Sequence, residues 1–204
     1  MAVIEIGLQK WSDTNLDVGT FQDGTPISEV SSSEQWAEYA SNGTAGWCYY
    51  NFDSSNSAAY GRLYNWYAVQ NSANIAPTGF RVPTRSDWQK LVAFAGSEPG
   101  KKLKNSTGWL SLTRVNPNGT NDFDFKGNPG GYMKDNGEFW DQGWSGNFWT
   151  QQSSSADNSY SRRLHWSNSD ALEISDTNKG IGLSVRLICT GSCEAGDYNP
   201  TEDF

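Results

Sequence analysis

The segment Pro77-Thr78-Gly79-Phe80-Arg81-Val82-Pro83-Thr84-Arg85-Ser86-Asp87-Trp88 runs from a turn through a short strand into a capped helix. Pro83 ends the strand, and Thr84 can cap the helix together with Asp87, which lies three residues further along. Gly96 ends the helix. The apolar side chains between the two caps recur at helical spacing, at Trp88, Leu91, Val92 and Ala95. Because every local signal agrees and the segment contains no catalytic group, it is predicted to be scaffold.

Tryptophan is the residue around which we expect the core to form. The 204 residues suffice for one domain, which would bury about 70% of the surface that its unfolded chain exposes. Only 36% of the residues are apolar, but ten are tryptophan, and large rings contribute much of the buried area of a small core. The predicted body is a tryptophan-rich core inside a polar, glycine-rich shell.

The net charge of −8 excludes function classes that need a basic surface. Nucleic-acid binding requires Lys and Arg to neutralise phosphates, and anionic membranes also select basic surfaces. No apolar run approaches the length of a membrane span, and residues 1–6 lack the basic end and the apolar stretch of a signal peptide. We therefore expect no nucleic-acid partner, no membrane insertion and no Sec-type export.

A strand and a helix are predicted near the start of the chain. The alternation of apolar and polar residues over positions 4–8, which ends on Leu8, predicts a half-buried first strand. Ser31 with Glu34 forms a capping box, and the apolar spacing that follows predicts a short helix near residues 33–41.

The remaining patterns predict a mixed fold. Residues 47–52 are dense in aromatic side chains and are predicted to form a buried strand, whereas residues 61–69 have apolar residues at helical spacing. From about residue 97 onward, single apolar residues among Gly, Asn, Ser and Asp predict short strands joined by long loops. Residues 182–188 predict a closing strand that points Leu183, Val185 and Leu187 inward. This order of elements favours an α+β domain with its first and last strands paired.

Several phrases occur in a fixed order along the chain. They are Trp11 with Asn15-Leu16, Tyr60-Gly61-Arg62-Leu63-Tyr64-Asn65-Trp66, Pro77 through Trp88 with Leu91, Gly100-Lys101-Lys102-Leu103-Lys104 with Gly108-Trp109, Asn121 with Phe123, Pro129-Gly130-Gly131-Tyr132, Phe148-Trp149-Thr150, and Gly182-Leu183-Ser184-Val185-Arg186. So many spaced motifs in one order rarely arise by chance.

With these phrases, the chain resembles the major paralogous domain first described in Fibrobacter, over roughly residues 8 to 189. That family is similar to the sulfatase-modifying branch of the C-type lectin fold. The resemblance implies an α+β, C-type-lectin-like fold with two or three short helices, short antiparallel strands and a long loop region. We assign residues 1–189 to this domain and residues 190–204 to an acidic C-terminal tail.

The resemblance also implies a role in extracellular recognition or display. Since the chain starts without an export signal, we expect a phage virion protein, such as a fibre tip, a receptor-binding protein or a capsid decoration protein. Its expected partners are other virion or surface-assembly proteins and a bacterial surface glycan or protein, with self-association left open. The alternative location is the bacterial cell surface, reached by a non-Sec route. The alternative functions are a purely structural assembly protein that docks through its termini and, less favoured, an enzyme of the formylglycine-generating type.

The cysteines bear on whether the protein could be an enzyme of the formylglycine-generating type. The related formylglycine-generating enzymes use a cysteine pair and a bound metal, which draws attention to Cys189 and Cys193. A closed metal site needs about four ligands, and the chain has one histidine. We therefore expect a structural or incidental pair, no metal and no cofactor, and leave open whether the two cysteines form a disulfide. Cys48 is then the odd thiol.

Other candidate chemistry has a simpler interpretation. His165 could act as a general base, but without a serine or cysteine motif around it we interpret it as a strand residue. A glycosidase pair would need a specific separation and a raised pKa on one member, so loop carboxylates are more simply solvated. The carboxylates in question are Asp135, Glu138 and Asp141. The phrases at residues 98–100 and 121–123 match lectin calcium motifs only imperfectly, which removes oxygen ligands that calcium needs.

The loop region of residues 116–147 is the predicted recognition surface. Aromatic rings flanked by amides and carboxylates can stack on a sugar face or pack on another protein. The candidate ligand-binding residues are Asn116, Asn118, Asn121, Asp122, Trp140, Asp141 and Trp144. For Trp140 and Trp144, a place in the core is a close alternative. In the tail, Tyr198 and Phe204 are candidate anchors for a partner chain.

Overall fold

The chain folds into an α+β structure in which short strands outnumber short helices, and the computed structural model describes residues 1–113, 115–191 and 193. The helices are α1 Ser33–Asn42, α2 Ser57–Tyr60, α3 Trp66–Val69, α4 Arg85–Ala95 and α5 Pro99–Leu103. The strands are β1 Val3–Ile6, β2 Gln9–Ser12, β3 Ser28–Glu29, β4 Gly46–Cys48, β5 Leu63–Tyr64, β6 Phe80–Arg81, β7 Gly130–Met133, β8 Phe139–Gln142, β9 Ser145–Ser153, β10 Asn158–His165, β11 Leu172–Asn178 and β12 Ile188–Cys189. Among the described residues, no helix combines the length and the apolar character that crossing a membrane requires.

One sheet joins the two ends of the described chain. Its strand order is β1-β2-β12-β6, and Ile188 of β12 pairs with Trp11 of β2 and with Arg81 of β6. The predicted pairing of the first and last strands was wrong in detail, because β1 and β12 share this sheet but β2 lies between them. The prediction for Leu8 was wrong, because Gly7 has a φ of 64° and turns the chain there, which leaves Leu8 fully exposed.

Helix α4 begins within the segment from Pro77 to Trp88, as predicted. The Thr84 hydroxyl accepts a hydrogen bond from the Asp87 amide, while the Asp87 carboxylate accepts one from the Thr84 amide at 2.8 Å. Asp87 also accepts a hydrogen bond from Arg81 Nη2 at 3.0 Å. On the buried face of the helix, the ring of Trp88 lies 4.9 Å from that of Trp11. The cap therefore ties α4 to β6 as well as starting the helix.

Helix α1 also forms where it was predicted, although its cap lies one residue later. Ser32, rather than Ser31, accepts the hydrogen bond from the Gln35 amide. Trp36 is fully buried, and its Nε1 donates to the carbonyl of Gly180 at 2.9 Å. This hydrogen bond connects α1 to the segment that precedes the last strand.

Two predictions in the first half were wrong in part. Strand β4 ends at Cys48, and a 3₁₀ turn occupies Tyr50–Phe52, where a strand was expected to continue. The predicted helix over residues 61–69 is reduced to the single turn of α3, because β5 pairs with β4 instead. Asn65 caps α3 by accepting a hydrogen bond from the Ala68 amide.

The second half contains longer strands than the sequence predicted. A five-stranded sheet has the order β11-β10-β9-β7-β8, with nine residues in β9 and eight in β10. The first six residues of β9 are all buried, so this strand lacks the alternation that marks a half-exposed strand. That double-sided burial explains why the sequence predicted only short strands in this half of the chain.

The closing segment behaves differently from the predicted strand. Leu183, Val185 and Leu187 are buried as predicted, but Ser184 and Arg186 are buried too. The segment makes single bridges, from Leu183 to Tyr64 and from Ser184 to Phe148, before β12 begins. It therefore runs through the interior with both of its faces covered.

Arg186 donates to four acceptors in two distant segments of the chain, residues 12–15 and residues 125–126. Its guanidinium donates to Asn15 Oδ1 at 2.7 Å and to the carbonyls of Ser12 at 2.9 Å, Phe125 at 2.7 Å and Lys126 at 3.0 Å. The side chain is 1% exposed, and burial lowers its pKa.

The Asp87 cap makes a testable contribution to stability. Partial burial acts to raise the pKa of Asp87, but hydrogen bonds from Arg81 and Thr84 lower it to about 2. A lowered carboxyl pKa stabilises the fold above the unfolded value near 3.8, and this contribution disappears as the pH falls through 2. We predict that Asp87→Asn lowers the free energy of unfolding by about 2 kcal/mol at pH 7. Urea unfolding at several pH values measures this loss.

The loss should shrink steadily below pH 4, toward zero near pH 2. Glu29→Gln, at an exposed position of β3, is the matched control and should change stability by less than about 0.5 kcal/mol. A loss at Asp87 that stays constant across this pH range would contradict the assignment of the ion pair.

Candidate functional site

A cleft of about 410 Å³ opens between α5, the loop before residue 119 and the turn after β10. We call it the Trp166 cleft. It is lined by Glu98, Lys101, Lys104, Thr113, Val115, Asn116, Pro117, Asn118, Trp166, Ser167, Asn168 and Ser169. Two residues predicted from the sequence, Asn116 and Asn118, therefore lie in it.

Lys104 holds the walls of this cleft together. Its Nζ donates to the carbonyls of Pro117 at 2.9 Å, His165 at 3.1 Å and Asn168 at 3.4 Å. The residue is 3% exposed, and burial together with the nearby charge of Lys101 lowers its pKa to about 8. Since its hydrogens are directed at backbone oxygens of both walls, Lys104 shapes the cleft.

Three asparagine side chains of the cleft share one arrangement. The Oδ1 atoms of Asn116, Asn118 and Asn168 accept hydrogen bonds from the amides of Asn118 at 3.0 Å, Trp109 at 3.1 Å and Asp170 at 2.7 Å. Within the described chain, their side-chain amino groups have no acceptor. Each oxygen fixes a loop, and each amino group is left as a donor for a ligand.

Trp166 is the aromatic residue of the cleft lining, and Trp144, which is not part of that lining, contacts its ring. The rings of Trp144 and Trp166 meet edge to face at 5.6 Å, and the Trp166 amide donates to the Trp144 carbonyl at 2.9 Å. Both residues are half-buried. Trp166 was missed in the sequence as a site residue, although the run of Ser, Asn and Asp that follows it at positions 167–170 has the same composition as the predicted loop.

The remaining predicted residues lie outside the Trp166 cleft. Trp140 is 46% exposed on β8, where Lys134 Nζ lies 3.9 Å above its ring. Asp141 has a φ of 62° and forms an ion pair with Arg163 at 3.1 Å. Asn121 turns the loop by accepting a hydrogen bond from the Lys126 amide at 2.8 Å, and Asp122 is exposed.

The comparison with known families supports the resemblance. The family model described as the Fibrobacter succinogenes major domain matches residues 4–189. The chain belongs to this family. No curated protein and no solved structure matches the chain.

The phrases that carry the family resemblance lie mostly in the interior of this Fibrobacter succinogenes major domain. Fully or nearly fully buried members are Trp11, Leu63, Trp66, Trp88, Trp109, Trp149 and Arg186. Most of the cleft wall, including Asn116, Asn118 and Trp166, lies outside those phrases. The family pattern therefore describes the scaffold, and the cleft is formed largely by residues between its motifs.

Two of the three carboxylates considered for glycosidase chemistry are engaged in other contacts in this family member. Hydrogen bonds from Asn136 and Lys134 lower the pKa of Glu138. A general acid of a glycosidase needs the opposite shift. Asp141 is held by Arg163, and Asp135 lies at a separate surface depression beside Asp157.

The cysteines divide as a pair and a single thiol. Cys189 and Cys193 form a disulfide with their Cα atoms 6.0 Å apart. Cys48 is buried beside Met133, and burial raises its pKa. Over residues 1–113, 115–191 and 193, no three side chains of His, Cys, Asp or Glu converge as a metal site would require. Tyr198 and Phe204 lie outside the described residues.

His165 has a partner that the sequence did not reveal. Its Nδ1 lies 2.8 Å from Ser167 Oγ, and burial, followed by the charge of Arg163, lowers its pKa. Within the described part of the chain, no carboxylate hydrogen-bonds to the ring, so the arrangement lacks the group that would orient a catalytic imidazole.

Trp140 and Trp149 give a matched test of which tryptophans form the core. Trp149 is fully buried and donates from Nε1 to the Tyr64 carbonyl at 2.7 Å. We predict that Trp149→Ala lowers the free energy of unfolding by about 3–5 kcal/mol. For Trp140→Ala, we expect a loss of less than about 1 kcal/mol, because nearly half of that side chain is already in water. Urea denaturation of both variants measures the difference. Equal losses of unfolding free energy would show that Trp140 belongs to the core.

Proposed function

We propose that this protein is a non-enzymatic recognition and display module that binds a bacterial surface glycan or protein as a component of a phage virion. The observation that carries the proposal is the Trp166 cleft, where a partly buried indole lies among side-chain amides and hydroxyls. Concave sites of this kind, with an aromatic ring and a few placed polar groups, are typical of ligand binding.

The chemistry of the cleft favours a glycan within this proposal. The free amino groups of Asn116, Asn118 and Asn168 can donate to the hydroxyl, ether or acetamido oxygens of a sugar. The Trp166 ring can pack against the C–H face of the same sugar. The two lysines of the cleft are engaged within the protein, since Lys104 donates to backbone carbonyls and Lys101 lies 3.5 Å from Glu98.

We further infer a C-type-lectin-like architecture for the domain. The return of β12 to the first hairpin, the two main helices α1 and α4, and the long irregular segment between α5 and β7 support it. Such a scaffold holds variable loops on a fixed core. A fibre tip, a receptor-binding protein or a capsid decoration protein would use it in the same way, and the bacterial cell surface is the alternative location.

Replacement of Trp166 tests the recognition site directly. We predict that Trp166→Ala weakens binding to isolated surface polysaccharides of host bacteria by at least about tenfold, because stacking area at the centre of the cleft is lost. A glycan array followed by titration of the best ligand in a calorimeter measures the change.

Phe94→Ala is the matched control for this test. Phe94 is 56% exposed and lies on α4, away from the cleft lining, so its loss should leave binding unchanged. Equal weakening by both substitutions, or full binding by Trp166→Ala, would refute the site.

A purely structural assembly role is the second candidate, and one observation favours it. Leu110, Leu112 and Val115 are 52%, 80% and 73% exposed on one loop. Exposed apolar side chains grouped in this way often mark protein contacts. In this candidate, the acidic tail docks on a partner chain and the loop adds contact area.

Removal of residues 194–204 separates the two candidates and keeps the disulfide of Cys189 with Cys193. We predict that the shortened protein binds surface glycan with an unchanged Kd, because the cleft lies within residues 98–169. Incorporation into particles, measured by co-sedimentation, should be lost only if the tail docks on a partner. Loss of glycan binding on this deletion would contradict the leading proposal.

A further inference from the structure

A second pocket, of about 210 Å³, lies on one face of the five-stranded sheet. We call it the sheet-face pocket. It is lined by Tyr132, Asn147, Ser161, Arg163, Ile174, Asp176, Thr177, Ile181 and Leu183. It shares no residue with the Trp166 cleft, so what it binds is independent of the function proposed above.

A β-bulge gives this pocket its polar floor. The pairing of β10 with β11 steps from Ser159 opposite Thr177 to Ser161 opposite Ile174, which leaves one extra residue in β11. Consecutive residues of a regular strand point to opposite faces, whereas a bulge re-aims them. As a result, the neighbours Asp176 and Thr177 both line the pocket.

The floor contains a hydroxyl hydrogen without a protein acceptor. Ser161 Oγ lies 2.7 Å from Thr177 Oγ1, and the two residues are only 4% and 9% exposed. Two hydroxyls that share one hydrogen bond carry two hydrogens and use one of them. Among the described residues, neither hydroxyl has another partner, so the remaining hydrogen requires an acceptor from a ligand or from water.

The charged groups favour a neutral ligand. Arg163 donates from Nε to Asn147 Oδ1 at 3.2 Å and from Nη2 to Asp141 at 3.1 Å, which leaves Nη1 without an acceptor in the described chain. Because Asp141 already neutralises Arg163, the exposed Asp176 carboxylate, which has no ion pair among the described residues, makes the site negative overall. An anionic ligand would be repelled, and an apolar ligand would desolvate Arg163 and Asp176 without replacing their hydrogen bonds to water.

We propose that the sheet-face pocket binds a single neutral sugar ring. Sugar hydroxyls both donate and accept, so one ring can donate to Asp176 and accept from Arg163 Nη1 and from the Ser161 and Thr177 hydroxyl pair. Its C–H faces pack against the Tyr132 ring and the aliphatic wall of Ile174, Ile181 and Leu183. The protein thus carries a second sugar-binding point besides the Trp166 cleft.

The test is a methyl-detected NMR titration of the full chain with D-glucose, D-galactose, D-mannose and N-acetylglucosamine. At least one sugar should shift the methyl signals of Ile174, Ile181 and Leu183 in a saturable way, with a Kd on the order of 1–10 mM, as expected for so small a ligand. Glucuronic acid, titrated in parallel, should bind more weakly than glucose, because the negative charge of the site repels its carboxylate.

Two variants and two controls connect the shifts to the pocket. Asp176→Ala removes an acceptor that has no partner in the described part of the chain, and Ile181→Phe fills the pocket, so each should weaken binding by at least about tenfold. Trp166→Ala and Glu29→Ala should leave these shifts unchanged. No saturable shift with any of the sugars, or a Kd unchanged from that of the original protein in Asp176→Ala and Ile181→Phe, would overturn the proposal. Loss of the shifts in Trp166→Ala would also overturn it, because the pocket would then not act independently.

Discussion

The fold depends on one buried cation. Arg186 brings together the end of β2, the side chain of Asn15 and the loop before β7, segments that are more than 100 residues apart at the extremes. Backbone carbonyls in irregular segments have no ladder partner, and leaving them buried without one costs about 1–3 kcal/mol each. The rings of Phe125 and Phe148 lie 4.4 Å and 5.7 Å from the guanidinium carbon and keep water away from it. One side chain therefore makes the burial of loop backbone possible.

Lys104 satisfies buried backbone carbonyls at the Trp166 cleft in the same way. There too a buried cation donates to carbonyls of segments that belong to no common sheet, namely the loop at Pro117 and the turn around Asn168. The long loop between α5 and β7 is consequently fixed at its inner edge, while Leu112 and Val115 at its outer edge remain exposed. This combination of a fixed base and an exposed rim gives a recognition loop a defined shape at little ordering cost on binding.

Local chemistry explains which elements could be predicted from the sequence. The cap of Thr84 with Asp87 and the helical spacing after it specify α4 without help from the rest of the chain, and α1 is specified in the same way. Residues 61–69 have equally good helical spacing, yet Leu63 and Tyr64 pair with β4, because tertiary pairing outweighs a weak local preference. Asn116 and Asn118 were found by composition alone. Trp166 was not, because its place opposite that loop depends on the carbonyl contacts of Lys104.

The sequence by itself determined the family, the positions of the two main helices and the tryptophan-rich character of the core, since each of these follows from residue type and short-range spacing. Only the tertiary structure decided which residues of the two pockets and their surroundings meet. Trp144 reaches Trp166, and Thr177 reaches Ser161, through strand register and a bulge. Register is set by pairing between distant segments, and a shift of one residue moves every side chain to the other face of a sheet. No local pattern in the chain encodes that choice.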